Sequence, residues 1–139
     1  MVESDMQVIF GAYIRSHNLP KSAVFELKIC KGTALPFNSV KEHQRKALLA
    51  VLESGFYHKL IDPPIFANMK TRFNAPRPFD CFFLKGIEAF VIIWFYHARK
   101  PKTFILISIK EFLAEEARSS RKSLTEARAK EISSGTIMI

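Results

Sequence analysis

The chain has 139 residues, 48% of them hydrophobic and 24% charged, with 13 Phe. That is about one domain's worth of chain with ample apolar material for a core, which excludes a disordered tail or a collagen-like chain. Its 21 Lys and Arg against 13 Asp and Glu leave a net charge of +8, which points to a polyanionic partner, nucleic acid first, because clustered cations displace counterions condensed on phosphates.

Apolar residues at Met6, Ile9, Phe10, Tyr13 and Ile14 recur at three-and-four spacing, so a helix is predicted over residues 4–16, ended by Pro20. Residues 23–29 then alternate. They predict a strand with Ala23, Phe25, Leu27 and Ile29 on one face and Val24, Glu26 and Lys28 on the other. After the loop 31–38, Ser39 with Glu42 three residues on reads as a capping box. It opens a second helix whose stripe of Val40, Ala47, Leu48, Val51 and Leu52 runs to a stop at Gly55. Residues 56–60 read as a short strand, and 62–78, with Pro63, Pro64, Pro76 and Pro78, as an irregular basic loop.

Strands are predicted over 79–84 and 89–96, joined as a hairpin through Lys85-Gly86-Ile87-Glu88. The second is apolar on both faces and belongs in the middle of a covered sheet. A strand over 102–109 leads into a helix from Lys110 to about Ile132, and residues 133–139 are expected to form a loose tail. The whole reads as α/β: a single domain over 1–132 with a central mixed β-sheet flanked by helices, then the tail 133–139.

The longest apolar run, 89–96, is too short for a bilayer-spanning helix of roughly 20 residues. The acidic Glu3 and Asp5 are unlike the basic start of a secretory signal, so an intracellular protein without a membrane anchor is expected. Cys30 and Cys81 lie far apart, with no Cys-x-x-Cys, and read as small core residues.

Glu26-Leu27-Lys28 carries the chemistry, because a strand puts the carboxylate and the ammonium one pleat apart on one face. A metal-dependent nuclease needs such a pair: a hard oxygen ligand for Mg²⁺ and a cation that orients water or offsets charge on the phosphate. The same tripeptide also suits a solvated strand face. A basic loop with Lys31 and Thr33, the element Pro36-Phe37, and a helix opening with Glu42-His43-Gln44 follow.

This block, roughly residues 22–52, resembles the RecU-type Holliday junction resolvases of the PD-(D/E)xK nuclease superfamily, with weaker similarity over 89–113. The resemblance implies a restriction-endonuclease-like core and a Mg²⁺-dependent endonuclease, with Mn²⁺ as substitute, that hydrolyses phosphodiesters in branched DNA as a homodimer. It implies Glu26 and Leu27 as metal positions, Lys28 as the catalytic lysine, and Gln44 with His43 beside the site. Lys31, Lys41, His43, Lys70, Arg72 and Arg77 would face phosphates.

The pattern departs from the family in one respect: no acid lies between Asp5 and Glu26, where the strand before Glu-x-Lys normally carries an Asp. Asp80, in Arg77-Pro78-Phe79-Asp80, is the substitute we expect to converge on Glu26, with Glu3 or Asp5 as a further ligand. Asp80 equally suits a strand-start residue after proline. Lys59, Lys70, Arg72 and Arg77, interleaved with Phe66 and Phe73, suit phosphate contacts and stacking on unpaired bases, and equally a loop that packs its Phe residues on the core. Arg118, Arg121, Lys122, Arg128 and Lys130 alternate with Glu115, Glu116, Glu126 and Glu131 and read as a solvated helix face. Two rival functions remain: a nuclease of the same fold acting on ends, nicks or flaps, and a non-catalytic basic nucleic-acid-binding module.

Overall fold

The computed structural model describes residues 3–16, 23–59 and 81–139. Helix α1 (Glu3–Ser16) precedes strand β1 (Ala23–Cys30), a short strand β2 (Ala34–Pro36) and a 3₁₀ turn (Phe37–Ser39). Helix α2 (Glu42–Leu52) leads to β3 (Phe56–Lys59), β4 (Cys81–Leu84), β5 (Glu88–Phe95) and β6 (Thr103–Ser108). Helix α3 (Ile109–Arg118), β7 (Ser123–Thr125), α4 (Glu126–Glu131) and β8 (Gly135–Met138) complete the described chain. The main sheet runs β1-β5-β6-β8, with β1 parallel to β5 and the other two pairings antiparallel. The result is an α/β arrangement with an open mixed sheet flanked by helices.

Strand periodicity sorts the core into two layers. On the α1 side, Phe10 packs with Leu27, Ile92, Trp94 and Phe104, and Phe25 meets Phe10 edge-on at 5.3 Å between ring centroids. On the other side, Leu48 of α2 and Phe112 of α3 close over Val91, Ile93, Ile105 and Ile107. β5 is buried on both faces, as its unbroken apolar run predicts. No helix among the described residues is long and apolar enough to cross a membrane.

Four expectations are corrected. The 79–84 and 89–96 strands do not form a hairpin: β4 pairs antiparallel with β3, from Phe56 opposite Leu84 to Lys59 opposite Cys81. The reason is edge occupancy, since β1 and β6 take both sides of β5, and Gly86 at φ 68° turns the chain from one ladder to the other. The second helix is not capped by Ser39, which lies in the 3₁₀ turn; Lys41 is the N-cap.

The helix expected from Lys110 to Ile132 breaks after Arg118. Leu124 is 1% exposed, and it is buried by pairing β7 with β2 rather than by a helical turn. Thr125 then caps a new helix, α4, accepting from the Arg128 amide at 3.4 Å. The tail expected to be loose instead supplies β8, which covers the outer edge of β6 and packs Ile137 against the α1-side layer.

Candidate functional site

Glu26 and Lys28 stand on β1 opposite Val91 and Ile93 of β5, on the face that carries α2. Leu27 between them points into the α1-side layer, 6% exposed. Its side chain is therefore committed to packing, and only its main-chain carbonyl is a donor for an ion. The Lys28 and Glu26 side chains are 13% and 23% exposed, and Lys28 Nζ lies 2.8 Å from Glu26 Oε1.

Gln44 joins them from the first turn of α2, its Nε2 donating to the same Glu26 Oε1 at 2.6 Å. Its other end is fixed too. The Lys41 amide donates to Gln44 Oε1 at 2.8 Å, the reciprocal half of a helix cap, so the carboxamide oxygen is taken and the NH₂ must face Glu26. Two donors thus converge on one carboxylate oxygen, and Oε2 has no partner among the described residues. A charge-assisted arrangement of this kind, shielded from most water, holds the carboxylate in one orientation.

The sequence reading missed the residue that fastens this corner. Arg45 donates from Nε to the Val40 carbonyl at 2.8 Å and from a terminal nitrogen to the Phe37 carbonyl at 2.5 Å. It also pairs with Glu116 of α3 and lies 5.9 Å from the Phe112 ring centroid. One planar guanidinium thereby locks the 37–41 turn and α2 to α3, a geometry that Lys would not reproduce. Nothing local in the sequence distinguishes Arg45 from the neighbouring Lys46, which pairs at the surface with Glu42.

Of the other expected site residues, Lys31, Lys41 and His43 are exposed around the loop and helix start that follow β1. Lys70, Arg72, Arg77 and Asp80 lie outside the described residues, as do the side chains of Glu3 and Asp5. The juxtaposition of Asp80 with Glu26 thus falls outside the described residues. Among the described residues no three of His, Cys, Asp and Glu come together. Cys30 is a buried free thiol that donates to the Gly32 carbonyl at 3.3 Å, as expected for a small core residue.

A second ionic centre was also unforeseen. Glu115, 6% exposed, receives Arg128 on both carboxylate oxygens at 2.8 and 2.9 Å and Arg118 at 3.0 Å. The Arg128 hydrogen bonds outweigh the burial that opposes ionisation; with Arg118 adding to them, the carboxyl is pulled down to about 2. The signal was an acid at the third step of the buried stripe Ile109, Phe112, Glu115. Near the end of β5, Glu126 bridges His97 and Lys130, each at 2.7 Å, beside a cavity of about 590 Å³. The Lys130 hydrogen bond, with His97 adding to it against burial, keeps the Glu126 carboxyl below its ordinary value.

No protein-family model matches the chain, and no match emerges among curated proteins or solved structures.

Proposed function

We propose that this chain is a metal-dependent DNA endonuclease on a PD-(D/E)xK-type core, hydrolysing phosphodiesters in branched DNA such as a four-way junction. The observation that supports it is the convergence of Lys28 and Gln44 on Glu26 Oε1, which gives the Glu-x-Lys pair a fixed geometry that a solvated strand face would not need. The resemblance of residues 22–52 supplies the substrate class, and the charge of +8 supplies the attraction to phosphate.

The donor set suits Mg²⁺, a hard ion that keeps several waters and takes only one or two carboxylates. Glu26 Oε2 and the Leu27 carbonyl would hold it, with Asp80 as our candidate for the second acid that the resemblance calls for. Bound there, the ion supplies a polarised water and neutralises phosphate charge. The chain's own part is positional and electrostatic: Gln44 keeps Glu26 from rotating, and Lys28 Nζ holds a positive charge and a proton beside the position of the reacting phosphate. A four-way junction has two-fold symmetry, so paired incisions call for two copies of the chain.

Incubating a synthetic four-way junction, a linear duplex and a flapped duplex with Mg²⁺ or Mn²⁺ tests this. Cleavage of the junction is expected, falling roughly 10²–10³-fold in Lys28→Ala, the range for removal of one transition-state donor, and comparably in Glu26→Gln and Asp80→Ala. Preference for the flap or the linear end transfers the reading to a nuclease of ends, nicks or flaps. The rival reading, a binding module without catalysis, is favoured by the lack of any group of three His, Cys, Asp or Glu side chains among the described residues. Binding without cutting under both metals establishes that rival.

A further inference from the structure

The break after Arg118 changes the meaning of the basic segment beyond it. Residues 119–122 form a loop between α3 and β7, held at both ends. Ser119 Oγ accepts from the Arg121 amide at 3.1 Å, and the Lys122 carbonyl accepts from the Phe37 amide at 3.1 Å. Pairing of Pro36 with Ser123 sets the loop against the 3₁₀ turn that feeds α2. Hydrogen bonds and one peptide link then lead back to the site: the Val40 amide donates to the Phe37 carbonyl at 3.3 Å, the adjoining Lys41 amide donates to Gln44, and Gln44 donates to Glu26.

Beside the loop is a cavity of about 340 Å³ whose lining includes Arg118, Ser119, Ser120, Arg121, Ser123 and Arg128. The acids around it are already engaged. Glu115 and Glu111 hold Arg118, and Glu115 and Glu131 hold Arg128. Arg121 and Lys122 are exposed and have no acidic partner among the described residues. This surplus charge, on a braced loop next to hydroxyls, is what a phosphodiester backbone requires: cations to displace counterions and neutral donors to fix register.

We propose that the 119–122 loop, through Arg121 and Lys122, is a second contact to the DNA backbone, holding the strand beyond the Glu26 site. This rests on the nucleic-acid reading above but does not depend on catalysis. Lys31 and Lys41 are likewise exposed, on the loop and cap between β1 and α2.

The test is equilibrium binding of a labelled four-way junction and a linear duplex in EDTA across a salt series. Each phosphate contact contributes about 0.9 to the slope of log K against log salt. Arg121→Ala with Lys122→Ala should therefore flatten the slope by about 1.8, so that the affinity deficit at 50 mM salt exceeds that at 200 mM by about tenfold. Lys85→Ala serves as the control: Lys85 is an exposed cation on the turn where the Ile87 amide meets the Val51 carbonyl, at the far end of α2, and its slope should match the wild type. A double variant with wild-type slope and affinity overturns the contact, and so does a wild-type chain that binds no DNA. A slope still flattened in the double variant, together with no junction cleavage in the Mg²⁺ and Mn²⁺ assay, removes the enzyme reading and leaves the contact standing. Cleavage with an unaltered slope does the reverse.

Discussion

Replacing Glu115 with Gln keeps the shape of the side chain but removes the charge that gathers Arg118 and Arg128. The carboxyl sits at about 2 in the folded chain against 4.5 ordinarily, and each unit is worth 1.36 kcal/mol, so the ceiling is about 3 kcal/mol. Glu115 is 8% exposed at its side chain, but Arg118 and Arg128 are 55% and 43% exposed, and solvent screening brings the expected contribution down to about 1–2 kcal/mol. Because the folded value is depressed, this stability is fully present above 4.5 and is lost as pH falls through 4.5 toward about 2. Urea denaturation of wild type and Glu115→Gln over that range measures it. The gap in unfolding free energy should be largest at neutral pH and close in acid. A gap that stays constant with pH shows that packing alone, not the ionised clamp, holds α3 to α4.

Gln44→Ala removes both the cap on α2 and a donor to Glu26. Stability should fall by about 1 kcal/mol, the usual worth of a cap; cleavage of a four-way junction should fall further than unfolding accounts for, and equal losses would leave Gln44 a cap only. Gly55→Ala meets a φ of 100°, and a Cβ there would collide with Cζ of the exposed Phe83 ring, which would have to swing aside. Thermal denaturation should show a loss of about 1–3 kcal/mol, and an unchanged melting temperature would contradict the left-handed conformation of the α2–β3 turn.

Properties carried by near neighbours were legible in the chain. The two faces of β1 follow from the alternation over residues 23–29, so Glu26 and Lys28 were placed together and Leu27 apart from them. The doubly apolar run of β5 announced a central strand, and the helices α1 and α2 were marked by three-and-four spacing and by the Gly55 stop. Each depends on backbone periods of 2 or 3.6 residues, which a sequence displays directly.

What escaped was decided by partners distant in the chain. Periodicity alone does not tell that β5 has both edges filled, which sends β4 to β3, or that β6 leaves an edge for residues 135–138. The alternating charges of 110–132 satisfy a helix as well as the broken α3-loop-β7-α4 path; burial of Leu124 against β2 decides between them. Likewise Gln44 reaches Glu26 across 18 residues and Arg45 reaches Glu116 across 71. Local pattern determined which side chains share a face, whereas the pairing of sheet edges and the burial of polar groups determined which faces meet, because those energies exist only once separated segments have come together.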